Sequence, residues 1–104
     1  MKLQQGDVLI RKIEENGNLN LDNENLQNHL ILAEGEVTGH KHEIVAGVAK
    51  LYLIKSILYL KVLSETATLR HEEHKPIDIE KGLYKIDKVR EYDHFTEEMR
   101  QVMD

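Results

Sequence analysis

The apolar residues along this chain come in short runs that alternate with polar positions, the pattern of strands whose two faces meet different surroundings. In "GDVLIRKIE", Gly6 to Glu14, the run is bounded by a glycine and by acidic residues and reads as a first strand. "ENGNLNLDNENLQN" follows, an Asn-rich connection of the kind that joins strands. "HLILAEGE" predicts a second strand that ends at Gly35, and "HKHEIVAG" a third, punctuated by Gly39 and Gly47. In "AKLYLIKSILYLKVLSE", Leu58, Leu60 and Val62 share one face, and Tyr59 and Lys61 the other. The period there is 2, and it predicts two strands joined by a turn near Lys55 and Ser56. "ATLRHEEHKPIDI" gives a short strand, a turn around Glu72 to Lys75 and an extended exit, because Pro76 pushes Lys75 out of the helical region. "GLYKIDKVREY" is a last, longer strand. Only "TEEMRQVMD" has helical character: Thr96 is suited to cap it, and Glu97 and Glu98 stand in the first turn.

About seven short strands at roughly 8–12-residue spacing predict an all-β fold, and a small antiparallel β-barrel with a short C-terminal α-helix is the expected architecture. With 104 residues and 40% hydrophobic composition, the chain suffices for one compact domain and a real core. No repeat or linker divides it. The N-terminal run is broken by Arg11 and Lys12 and makes no signal peptide, and no stretch approaches the roughly 20 apolar residues of a membrane span. A soluble, cytoplasmic protein with no membrane partner is the expectation.

Charge and chemistry narrow the function. The net charge is −5, from 19 acidic and 14 basic side chains. Binding to long nucleic acid draws on a basic field, so that class is set aside, whereas a small anion can still be held by a few local cations. The chain has no cysteine, which removes disulfides, thiolate nucleophiles and Cys-based metal sites. There is no P-loop, dinucleotide-binding glycine fingerprint or nucleophile elbow.

What stands out is histidine. Four of the six fall in two clusters, His40 and His42 in "TGHKHEI" and His71 and His74 in "RHEEHKP". On a strand, His40 and His42 face the same side, and a turn can bring His71 and His74 together. Three readings are open. The rings can form a solvated rim beside Glu43, Glu72 and Glu73. They can hold a metal such as Zn²⁺ or Fe²⁺, with Glu43 completing the set, in a partial likeness to the cupin pattern that lacks its second motif. Or they can move protons near neutral pH, with Lys41, Arg70 and Lys75 interleaved as cations for a phosphate. Attack of a ribose 2′-hydroxyl on its own 3′-phosphate needs that mixture: a base, an acid and a cation.

"GDVLIRKI", "LAEGEVTGHKHEI" and "ATLRHEEHKPIDIEKGLYKIDKVREYD" resemble, in order and over most of the chain, a family of small β-barrel proteins found in bacteria, plasmids and phages. That family resembles the ring nucleases, which cleave the cyclic oligonucleotide messengers of type III CRISPR and related anti-phage defences. The resemblance implies removal of a cyclic oligoadenylate signal. Gly39, His40, His42, His71, Glu72, His74, Arg90 and Tyr92 match its pattern. From chemistry, His40 and His42 are the first choices for acid–base work, with His71 or His74 as partner. Lys41, Arg70 and Lys75 are candidate phosphate contacts, although alternation turns Lys41 away from its flanking histidines. No cofactor or metal is expected on this reading, and a homodimer is, because two identical subunits match the symmetry of a ring. A metal-binding, cupin-like enzyme and a module that sequesters nucleotides without turnover are the alternatives. Tyr52, Tyr59, Tyr84 and Tyr92 are expected as half-buried strand residues rather than base-stacking platforms. Met99, Val102 and Met103 are expected to pack the helix on the barrel or on a partner. The Asn-rich connection is expected to be solvated, or to act as a lid over a barrel mouth.

Overall fold

The computed structural model describes residues 2–15, 19–34 and 39–88. They form seven strands: β1 (Lys2–Gln5), β2 (Val8–Ile13), β3 (Ile31–Glu34), β4 (Lys41–Ala46), β5 (Ala49–Ile54), β6 (Ile57–His71) and β7 (His74–Lys88). All pairings are antiparallel within one sheet, in the order β1-β2-β7-β6-β4-β3, with β5 also on β6. The fold is all-β, as the period-2 pattern predicts, and the sheet curls into a half-barrel. The expected C-terminal helix, Arg90 and Tyr92 lie outside the described residues.

The strands are not uniformly short. β6 and β7 have 15 residues each, and each joins two segments that the sequence pattern separates. The polar break "SET" in β6 is a bulge inside a continuing strand. Val62 pairs with Gly82 and Thr66 with Glu80, so β6 advances four residues where β7 advances two. Ser64 stitches the bulge to the junction between β4 and β5: its hydroxyl donates to Thr66 O at 2.7 Å and accepts the Val48 N–H at 2.8 Å. Gly47, at φ +90°, passes so close that a Cβ there would lie 2.5 Å from Thr66 O. β4 and β5 therefore run along β6 as one interrupted arm, β4 against Thr68–Arg70 and β5 against Ile57–Val62. Pro76 is tolerated within β7 because β2 pairs only with its Leu83–Lys88 part, so that among the described residues no strand pairs with the other end on that side.

Inside the curl, Val8, Ile10, Leu51, Leu60, Val62, Leu69, Ile79 and Tyr84 form the core, each at most 1% exposed. The Tyr84 hydroxyl donates to Glu80 O at 2.6 Å. A second cluster lies on the outer face, where Tyr52, Tyr59 and Leu83 are covered by Leu19, Leu21 and Leu26. This corrects the expectation for the Asn-rich connection. Its described part is neither solvated throughout nor a lid over a mouth, because its three leucines find an apolar surface to cover. Leu26 bridges Tyr52, and the Gln27 N–H donates to Leu51 O at 2.8 Å. The three described tyrosines lie in strands as expected, but they are buried rather than half-buried.

Candidate functional site

Three segments distant in sequence meet at one end of the half-barrel: the start of β4, the β6–β7 hairpin and the β1–β2 turn. His42 shares its face of β4 with the core residue Ile44, two positions on, and is 3% exposed. His71 and His74 are register partners flanking a two-residue turn, Glu72–Glu73. Directly opposed residues project to the same side of a sheet, so the turn brings together two rings that a single strand would point apart. All four imidazoles gather around His71. Its ring centroid lies 4.2 Å from that of His42, 4.8 Å from His74 and 5.7 Å from His40; His42 and His74 are 6.1 Å apart.

The surrounding hydrogen bonds fix two of the ring tautomers. Gln5 is buried, and its amide nitrogen donates to Leu69 O at 3.1 Å and to Lys75 O at 2.8 Å. Its Oε1 must then be the partner of His42 Nδ1, 2.9 Å away, so Nδ1 carries the hydrogen and Nε2 a free lone pair. His71 is the opposite case. Its Nδ1 accepts the Glu73 N–H at 3.0 Å, which leaves Nε2 as the hydrogen-bearing atom of the neutral ring. Burial, with the neighbouring His71 as a lesser cause, lowers the His42 pKa from 6.5 to about 4, so His42 is neutral at pH 7.

His40 Nδ1 lies 3.0 Å from Glu73 Oε2, a carboxylate that orients the ring and leaves Nε2 as its other donor-acceptor atom. Glu72 Oε1 accepts the Lys41 N–H at 3.0 Å, tying the hairpin to β4, and that bond holds the Glu72 pKa down at about 2. Asp7 bridges the far side, with Oδ1 3.7 Å from His42 Nε2 and Oδ2 3.9 Å from Lys88 Nζ. His40, His71 and Glu72 each offer a donor atom within 4.8 Å of the other two, the one potential metal-ligating group among the described residues.

Not every expected residue joins the cluster. The Lys41 side chain turns outward, as alternation predicts, and lies 3.7 Å from Glu43 Oε1. Glu43 is turned away with it, which removes it from the metal set expected from sequence. Arg70 is exposed, 3.5 Å from Glu72 Oε2, and Lys75 contributes its carbonyl to Gln5. Gly39 takes φ +86° just before His40, a turn position where a Cβ would meet none of the described residues within 4 Å. Sequence reasoning missed Gln5, Gly6, Asp7 and Lys88, whereas Glu73 is one of the carboxylates that it set beside the rings. "QQGD" between two apolar runs is a legible turn signal, and Gly6 adopts φ +60° there. Nothing in the sequence says that this turn lies against imidazoles, yet a Cβ on Gly6 would be 2.8 Å from His74 Nε2 and 3.2 Å from His42 Cε1.

Among the described residues no helix is long and apolar enough to cross a membrane. No curated protein and no solved structure matches the chain. Residues 4–88, a span that holds every residue of the site, match a domain of unknown function, DUF8820, and the chain belongs to that family.

Proposed function

We propose that this protein cleaves phosphodiester bonds beside a ribose 2′-hydroxyl, acting on cyclic oligonucleotides such as cyclic oligoadenylate, by histidine acid–base catalysis that needs no metal. The observation that carries the reading is the gathering of His40, His42 and His74 around His71, whose Nε2 bears a hydrogen, with the His40 ring backed at Nδ1 by the Glu73 carboxylate. A base takes the proton of the 2′-hydroxyl, its oxygen bonds to phosphorus, the P–O5′ bond breaks, and an acid protonates the departing O5′. The products are a 2′,3′-cyclic phosphate and a 5′-hydroxyl, and no water is consumed.

The exposure of the rings supports a division of labour. His40, backed by Glu73, is the base. His74, the most exposed ring of the cluster, is the acid. Between them, His71 donates from Nε2 to a phosphoryl oxygen as charge develops there. His42 is too buried to meet substrate and stays neutral, so its part is to hold His71 through ring contact. The choice of a cyclic substrate, with a cytoplasmic homodimer to match its symmetry, rests on the sequence resemblance.

Purified protein incubated with cyclic oligoadenylates of several ring sizes, with and without EDTA, tests the reading. Linear fragments ending in 2′,3′-cyclic phosphate should appear in both conditions, and His40→Ala or His74→Ala should lower the rate roughly 10²–10⁴-fold. Intact rings in both conditions would refute it. The His40, His71 and Glu72 donor set favours a second reading, a metal enzyme, although Glu72 Oε1 and His71 Nδ1 already accept backbone N–H groups. Stoichiometric bound metal and loss of activity in EDTA would select it.

A further inference from the structure

Phosphodiester cleavage at the histidine cluster calls for a cation on the phosphate, and the cations expected from sequence do not face the rings. Lys41 lies between His40 and His42, and Arg70 precedes His71, so alternation turns both side chains to the other face of the sheet, where each meets a carboxylate. Strand register supplies a different cation. Lys88 is the register partner of Val8 and stands two residues beyond Ile86, both of the inner core, so its side chain projects inward at the end of β7. His42, two residues before Ile44, and His71, two beyond Leu69, project to that same face. The β1–β2 turn joins the two: Asp7 Oδ1 is 3.7 Å from His42 Nε2, and Asp7 Oδ2 is 3.9 Å from Lys88 Nζ. Lys12 is also at an inward position, but it stands against Gly82, at the far end of β2.

We infer that Lys88 is the phosphate-binding cation of the site, acting with the Nε2–H of His71. The inference rests on the phosphodiesterase reading and names the charge which that reading requires. Asp7, Glu72 and Glu73 border the rings, so an anion is admitted only where a positive charge offsets them. Glu72 faces Arg70 on the outer side and Glu73 backs His40, which leaves Lys88 for the inner side. Its charge reaches the cluster. Burial is the first cause of the lowered His42 pKa and His71 the next, and Lys88 is the one lysine or arginine that adds to them. The Asp7–Lys88 pair is half-exposed and long, so it holds the ammonium only weakly. A flexible four-carbon stem lets the ammonium exchange Asp7 for a phosphoryl oxygen.

The test is a titration of the whole protein with inorganic phosphate at pH 7, followed by the ¹⁵N signals of the histidine rings and the ¹³Cε signal of Lys88. Saturable shifts at Lys88 and His71 are expected. Lys88→Met should weaken binding, read at His71, about tenfold, and Lys88→Arg should restore most of it. Lys41→Met and Arg70→Met remove the same charge from the outer face and should change it less than about twofold. Absence of saturable shifts in the wild type would overturn the inference, as would Lys88→Met binding phosphate as well as the wild type, or Arg70→Met weakening it equally. The two readings fail separately. On cyclic oligoadenylate, Lys88→Met should lower kcat/KM at least about tenfold. Turnover that survives Lys88→Met unchanged refutes the role of Lys88 alone. Phosphate binding that depends on Lys88, in a protein that cleaves no ring, supports the subsite and refutes the nuclease.

Discussion

His42 should make the fold acid-sensitive by a calculable amount. In the unfolded chain its pKa is the ordinary 6.5, and in the fold burial brings it to about 4. Between those values the unfolded state binds a proton that the folded state does not. The contribution is therefore whole above pH 6.5, is lost as pH falls from 6.5 through about 4, and changes no further below that. At about 1.4 kcal/mol per pH unit, the gap corresponds to about 3 kcal/mol, a large share of the stability of a small domain. The side chain is 3% exposed, so solvent screening takes little from this figure. Other groups titrate in the same range, so the measurement has to be a difference. His42→Gln keeps an N–H for Gln5 Oε1 and does not titrate. Urea unfolding of both proteins from pH 7 to pH 4 should show the wild type losing up to about 3 kcal/mol more than the variant, read as a midpoint that falls faster with acid at similar slope. Two pH profiles that run parallel, whatever their offset, would refute the argument, because the titrating group would not be His42.

Three further outcomes follow from contacts around the site and its supports. Gln5→Leu removes the partners of Leu69 O, Lys75 O and His42 Nδ1; it should cost about 2–5 kcal/mol in urea unfolding and turn the single His42 tautomer, read from ¹⁵N chemical shifts, into a mixture. Gly47→Ala drives a Cβ against Thr66 O at φ +90° and should cost about 2–4 kcal/mol, with loss of amide protection along the β6 bulge measured by hydrogen exchange. Lys55 and Ser56 form the β5–β6 turn at φ 51° and 68°, so Lys55→Asn with Ser56→Gly should stabilise by about 1 kcal/mol and raise Tm by several degrees.

The fold was legible where the sequence pattern reports a strand's own two faces. Leu58, Leu60 and Val62 against Tyr59 and Lys61 is the division between the inner core and the outer cluster. Lys55 and Ser56 are the turn where the pattern puts it. β1 was missed because Lys2–Gln5 contains one apolar residue, and it is held by pairing with β2 and by the buried Gln5 rather than by an alternating face. "SET" in β6 was read as an interruption because three polar residues in a row break a period of 2. In the folded chain the Ser64 hydroxyl takes partners from Val48 and Thr66, and the strand continues through the bulge. A side chain that satisfies backbone groups across a junction leaves no periodic trace.

The site divides along the same line. That His40 and His42 share a side follows from strand geometry, and the convergence of His71 with His74 follows from a turn that Pro76 makes plausible. That both pairs share one space follows from neither. It needs β4 placed beside the end of β6, and that placement is enforced outside both pairs, where Gly47 lets the chain cross the bulge against Thr66. The tautomers depend on a still more distant choice: Gln5, 37 residues before His42, has its amide oriented by two carbonyls of β6 and β7. Cluster membership is thus a property of sheet order, and ring chemistry a property of the residues that the sheet order brings alongside. Residue type announced a histidine site, but which ring nitrogen of His42 and of His71 carries the hydrogen was set by the backbone N–H of Glu73 and the carbonyls of Leu69 and Lys75, groups that every residue but proline, for the N–H, carries alike.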